Sequence, residues 1–233
     1  MSLPAARANT RAVFFDVDFT LIHPGPAFLG SGYRDFCARH GVIVDPDRFN
    51  DAVALAAQLL DSSGGIYDPR VFIHYTRRII EGMGGTGDRI DEAARDIYDE
   101  WSACHHFSLY EDVPDVMREL HARGLTIGLI SNTQRCLTSF QSHFALDGLF
   151  SVTVSSAEHG YMKPHPSIFE SALRRAGATA AESVMVGDSV EHDIAGARLI
   201  GMRAILVARP GRHVECRFDV PVISTLRELP ALL

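Results

Sequence analysis

Asp16 and Asp18 stand one residue apart at the end of an apolar run, Ala12-Val13-Phe14-Phe15. Alternate side chains of an extended chain share a face, so this spacing lets both carboxylates address one reactant. Other polar groups also follow apolar runs: Ser131-Asn132 after Leu125 to Ile130, and Gly187-Asp188-Ser189 after Ser183 to Val186. Asp193 comes soon after Asp188, and Lys163 precedes Pro164 in a loop. Carboxylates gathered in one place raise one another's pKa unless a cation joins them. A hard divalent ion such as Mg²⁺ answers this, taking one or two carboxylates together with substrate phosphate oxygens. Lys163 adds a second positive centre, and Ser131 with nearby backbone amides adds donors, a combination suited to a phosphoryl dianion. One aspartate can then attack phosphorus. A second acid two residues on can protonate the leaving alkoxide and later activate water.

Such residues need a scaffold that brings distant strand ends together. Ala12 onward predicts a buried parallel strand opening onto a site at its C-terminal end. From Val113 the pattern alternates: helix to Arg123, strand Leu125 to Ile130, helix Arg135 to Phe144, strand Phe150 to Val154, helix Ser167 to Ala176, strand Ser183 to Val186. A helix near Ile194 to Ile200 and strands near Ala204 to Val207 and Val220 to Ile223 complete the series. This predicts an α/β, doubly wound Rossmann-like parallel sheet, its active edge collecting the polar strand ends. Between the first two strands the chain is helical. His23-Pro24-Gly25-Pro26 predicts a hinge. Helices follow over Tyr33 to Arg39, from Asp45-Pro46 to Leu60 with a stop at Ser62-Ser63-Gly64-Gly65, from Asp68-Pro69 to Ile80, and from Asp88 to Trp101.

Composition narrows the class of partner. The 233 residues carry a formal charge of −7 with 46% hydrophobic residues, which gives no basis for a nucleic-acid partner or an anionic membrane. Cys37, Cys104, Cys136 and Cys216 form no CxxC pair, so reduced thiols and a cytoplasmic location are expected. No stretch has the length to cross a bilayer and Met1 to Arg11 lacks a signal-peptide core. His105-His106 lacks the spacing of a zinc site. Nothing in the pattern separates a monomer from a homodimer.

The ordered set of motifs resembles the haloacid dehalogenase-like hydrolase superfamily, its phosphatase-rich branch with a helical cap after the first strand. The resemblance rests on Asp16-Val17-Asp18-Phe19-Thr20, Ser131-Asn132, Lys163-Pro164, and Gly187-Asp188-Ser189 with Asp193, and covers essentially the whole chain. It implies a catalytic core of residues 1–23 and 108–233 and a cap of residues 24–107. It further implies Asp16 as nucleophile and Asp18 as general acid/base, with Ser131 and Lys163 on the phosphoryl group and Asn132 beside the substrate. Mg²⁺ would be held by Asp16, the Asp18 carbonyl and Asp188, with Asp193 supporting the metal or orienting Lys163. Phe19 departs from the usual small or polar residue. Taken singly, Ser131 also fits a helix N-cap, Lys163 a surface lysine, and Asp193 an acid at a helix start.

The expected reaction is hydrolysis of a small soluble phosphate ester. Dehalogenation of a 2-haloacid needs no proton donor to the leaving halide, so Asp18 disfavours it. A phosphomutase and a non-catalytic binding protein are the other readings. In the cap, Tyr67, Arg70, His74 and Arg77 are candidates for reading the substrate, Arg70 through a carboxylate or second phosphate. The plainer reading, ordinary surface positions, is favoured for them.

Overall fold

Alternation along the first strand decides the architecture. In the computed structural model, which describes residues 10–61, 65–211 and 214–233, β1 (Ala12–Phe15) is buried throughout. Val13 and Phe15 enter one apolar cluster, while Ala12 and Phe14 enter another. A strand covered on both faces must be apolar at every position, which explains the unbroken run.

The chain continues through β2 (Ile22–Pro24), α1 (Gly30–Arg39), α2 (Phe49–Ala56), α3 (Gln58–Asp61), α4 (Pro69–Gly82), α5 (Ile90–Glu100) and β3 (Phe107–Leu109). Then come α6 (Val113–Ala122), β4 (Thr126–Ser131), α7 (Leu137–His143), β5 (Val152–Ser155), α8 (Ser156–His159), α9 (Pro166–Ala176) and β6 (Ser183–Gly187). A π-helical turn (Val190–Ala195) leads into α10 (Gly196–Leu199), β7 (Arg203–Val207) and β8 (Val222–Ile223). Among the described residues the main sheet has the order β5-β4-β1-β6-β7-β8, with every neighbouring pair parallel. Val116, Met117 and Leu120 of α6 and Phe140 of α7 cover one face. Ile168, Phe169 and Ala172 of α9 and Ala197 of α10 cover the other. The doubly wound expectation holds.

β1 is central, and its bulk constrains its neighbour. Phe14 lies opposite Gly128, where an added Cβ would come within 2.6 Å of the Phe14 ring. β4 therefore carries glycine mid-strand despite its entropic cost.

The stretch read as a hinge or linker begins inside a strand. Ile22–Pro24 pairs antiparallel with Phe107–Leu109, His23 opposite Ser108. Pro24 is tolerated because it ends a two-stranded ribbon, where its missing donor costs little. The helices between these two strands do not form an isolated core. Phe28, Tyr33, Ile79, Ile80 and Ile97 belong to the same apolar cluster as Val13 and Phe15.

Local signals set some of the helix starts. Asp68 caps α4 by accepting from the Arg70 amide, and Asp45 accepts from the Asp47 amide. The helix expected to run unbroken to Leu60 is divided after Ala56; Ser62, Ser63 and Gly64 of its expected stop lie outside the described residues. The helix expected from Arg135 begins instead at Leu137. Among the described residues no helix is long and apolar enough to cross a membrane.

A buried ion pair ties the sheet to the first turn. The Arg209 guanidinium donates to Asp112 at 2.7 Å and to the Thr20 carbonyl at 2.6 Å. Burial pushes Asp112 up, but Arg209, the Thr225 hydroxyl and the Leu226 amide outweigh it and hold the carboxyl below its ordinary value. Its stabilising contribution is therefore complete above the ordinary carboxylate pKa and is lost as pH falls toward the lower folded value.

Candidate active site

Strand pairing carries β1 to the sheet edge and delivers Asp16 there: its amide donates to the Val186 carbonyl at 2.9 Å. The chain then turns sharply. Phe19 has φ +64°, and the Leu21 and Ile22 amides both return to the Val17 carbonyl. A left-handed conformation at a bulky residue is costly and marks a functional turn. It keeps Asp18 beside Asp16, close enough for the Asp16 charge to act on it.

Lys163 is the cation of this edge. It is 3% exposed, follows α8 and forms a cis bond to Pro164. Its Nζ donates to Asp16 and to Asp193, each at 2.6 Å. Burial alone would lower its pKa, but the two carboxylates prevail and push it up, so the ammonium stays charged. Asp16 goes up, since burial and the Asp193 charge outweigh the attraction of Lys163.

The π-helical turn aims Asp193. Its amide returns to the Ser189 carbonyl, and its carboxylate accepts from the Ser189 amide at 3.0 Å as well as from Lys163. Gly187 makes room, for a Cβ there would lie 2.2 Å from an Asp193 oxygen. Asp16, Asp188 and Asp193 bring ligand oxygens within 4.8 Å of one another. These are hard oxygen donors without sulfur or imidazole, the set that suits Mg²⁺.

Two other candidates take specific places. Ser131, 1% exposed, ends β4. Asn132 clasps the Lys163 backbone, donating to its carbonyl at 2.9 Å and accepting from its amide at 2.7 Å. Asn132 thus fixes the lysine as well as lining the neighbouring cavity.

Arg70 stays apart from this group. Its guanidinium is 86% exposed and turns back onto Asp68, the residue that caps its own helix. His74 is exposed and Arg77 pairs with Glu81 and Asp91. Of those four residues, Tyr67 lines the cavity. Elsewhere Glu100 joins His105 and His106 in a cluster that the histidine spacing does not announce; His106 and Glu100 are hydrogen-bonded to each other at 2.9 Å.

Sequence reasoning missed Arg135. Expected only as the first residue of a helix, it lies before that helix and is 2% exposed; the Thr133 hydroxyl accepts from its amide and turns the loop inward. Its Nη1 donates to both Asp18 oxygens at 3.0 and 3.2 Å, and its Nη2 to the Trp101 carbonyl at 2.8 Å. Burial raises the Asp18 pKa, and Arg135 opposes the rise. Burial thus favours the protonated acid, while Arg135 is placed as the counter-ion of the carboxylate. Arg135→Met leaves Asp18 buried without that partner. It should lower turnover about 10²-fold and stability by about 3–5 kcal/mol, read by steady-state kinetics and urea unfolding. A folded Arg135→Met protein with unchanged turnover would remove this role.

The arrangement can hold a tetrahedral anion between Lys163 and the strand-end donors, present Asp16 to it, and move a proton through Asp18. Known proteins are similar to this chain over most of its length. A haloacid dehalogenase-like hydrolase from Danio rerio, domain-containing protein 3, is 28% identical over 97% of this chain and 98% of its own. The glyceraldehyde 3-phosphate phosphatase of Methanothermobacter thermautotrophicus is 30% identical over 96% of this chain and 99% of its own. A solved 2-haloacid dehalogenase from Pseudomonas syringae superposes with a TM-score of 0.65 at 27% identity, covering 96% of this chain and 97% of that one. The family profile itself matches residues 10–201, a span that contains every strand-end carboxylate just described, and by that match the chain belongs to the haloacid dehalogenase-like hydrolases.

Proposed function

We propose that this protein is a Mg²⁺-dependent phosphatase that hydrolyses a small soluble phosphate monoester through an aspartyl-phosphate on Asp16. The observation that carries the reading is the ammonium of Lys163 held between Asp16 and Asp193 at 2.6 Å each, beside the Asp18 carboxyl. Similarity to a named phosphatase supports the reaction class. Residues 24–107 act as a cap over a core of residues 1–23 and 108–233, limiting access to small molecules. Four free cysteines suit a reducing compartment, so we place the enzyme in the cytoplasm.

In this mechanism Lys163 and Ser131 bind the phosphoryl oxygens, and Lys163 also opposes the burial that favours a protonated Asp16. The Asp16 carboxylate attacks phosphorus as the ester P–O bond breaks, and Asp18 gives its proton to the departing alkoxide. Asp18, now a carboxylate paired with Arg135, takes a proton from water as that water attacks the aspartyl-phosphate. Inorganic phosphate leaves and Asp16 is restored. Asp16 and Asp188, with the Asp18 carbonyl and support from Asp193, would hold Mg²⁺, whose contribution is to offset the charge of the phosphoryl group.

Metal removal tests the reading. Turnover of p-nitrophenyl phosphate should fall to background in excess EDTA and return when Mg²⁺ is restored. Full activity in the chelated protein would refute the metal requirement. A second reading, dehalogenation of a 2-haloacid, is favoured by the likeness to the Pseudomonas syringae enzyme. The same Asp16 would displace halide there, but the leaving halide would need no proton from the Arg135-supported Asp18. Halide release from 2-chloropropionate, without phosphate-ester hydrolysis, would decide for it.

A further inference from the structure

Beside the candidate catalytic residues lies a cavity of about 270 Å³ whose floor includes Asp18 and Asn132. Its wall is rich in aromatic rings, with Phe19, Phe28, Phe72, Tyr98 and Trp101 among its residues. Ligand pockets are often apolar, with a few polar groups aimed inward for recognition. Here several of the polar groups are already bonded within the protein instead. The Tyr67 and Tyr98 hydroxyls are 2.6 Å apart, and the Thr76 hydroxyl donates to the Phe72 carbonyl at 3.0 Å. Gln134 donates to the Tyr98 carbonyl at 2.9 Å, Asn132 clasps Lys163, and the Thr133 hydroxyl accepts from the Arg135 amide. The His192 ring lies 3.1 Å from the Ser189 hydroxyl.

From this wall we infer that the substrate is a phosphate monoester with an apolar, aromatic-bearing organic group, rather than the ester of a polyol. The inference rests on the phosphatase reading for its phosphoryl end. A sugar in this cavity would give up water around each hydroxyl and find most wall partners already engaged, a loss that a hydrogen-bonding site avoids. A phenyl group would lose no such bonds and would gain aromatic contact with Phe72 and Trp101. The exposed, Asp68-paired Arg70 fits the same picture, since it brings no cation into the cavity for a second anionic group.

The test compares two esters of primary alcohols with similar leaving groups, 2-phenylethyl phosphate and glycerol 1-phosphate, on the wild-type Mg²⁺-loaded protein. The expected kcat/KM for the phenylethyl ester is at least about 30-fold higher. In Phe72→Ser that ratio should shrink about tenfold. Calorimetric titration with the non-hydrolysable 2-phenylethylphosphonate supplies a readout independent of turnover, and at least about tenfold tighter binding than inorganic phosphate is expected. Equal or better turnover of glycerol 1-phosphate would overturn the inference while leaving the phosphatase reading intact. Failure to hydrolyse either ester, with preferential phosphonate binding, would sink the phosphatase reading but support the apolar site. Phosphonate binding no tighter than phosphate would overturn the inference whatever the kinetics.

Discussion

The Asp16→Asn protein should fold and bind phosphate esters but hydrolyse p-nitrophenyl phosphate slower by on the order of 10⁴-fold or more. The substitution keeps the shape of the side chain and an acceptor for Lys163, so the fold has little reason to change. What disappears is the anionic oxygen that attacks phosphorus. Lys163 keeps its second carboxylate at 2.6 Å, so its charge and position persist and the phosphoryl group still finds its cation. The effect should therefore fall on kcat, with KM altered much less. Steady-state kinetics with circular dichroism as a control for folding would measure it, and wild-type turnover in a preparation free of contaminating phosphatase would refute the mechanism.

Lys163→Met should be the most damaging change at the other end of the same contact. It removes a phosphoryl-binding cation, for which a loss of about 10²–10³-fold in kcat is expected. It also leaves Asp16 and Asp193, 7% and 1% exposed, without the ammonium they share. Burial and the Asp193 charge already push Asp16 up, and without the ammonium that push is unopposed. Acids whose folded pKa is raised destabilise the ionised fold, and the penalty grows as pH rises through that value and is relieved as pH falls. The metal-free variant should thus lose about 3–5 kcal/mol near neutral pH and recover part of it on acidification or on addition of Mg²⁺. Thermal unfolding with and without Mg²⁺, across pH, measures both effects. A midpoint matching wild type in metal-free buffer at pH 7 would show that the lysine does not hold these carboxylates together.

The positions of Asp16, Ser131 and Asp188 were legible because each ends an apolar strand, and parallel strands bring such ends to one edge. The doubly wound order followed from the same alternation. Arg135 was not legible, because an arginine near a helical pattern has the signature of a solvated surface residue. Only the Thr133 hydroxyl on its amide, a contact of loop geometry, turns it inward. Pro24 misled in the other direction. Proline among glycine and histidine suggests a break, yet its partner strand at Phe107 is too distant in sequence for any local pattern to announce the ribbon. Arg70 has a helix-opening position like that of a substrate-reading arginine, and the adjacent cap Asp68 claims its guanidinium.

The central place of β1 also governs when the molecule can be assembled. Val13 finds its neighbours in Ile127 and Val184, both far downstream, whereas α4 and α5 pack against each other across a short connection. Contacts between remote segments form late because the intervening chain must first be ordered. During synthesis the helical segment can gather itself while Ala12 to Val17, the first apolar run of the sheet, waits unpaired on both sides. Until β6 has left the ribosome that run is an open sheet edge, the kind of surface that chaperones shield and aggregates recruit. The carboxylates at its end meet Asp193 and Lys163 only when it closes, so an incomplete chain carries the reactive aspartates but not the centre that uses them.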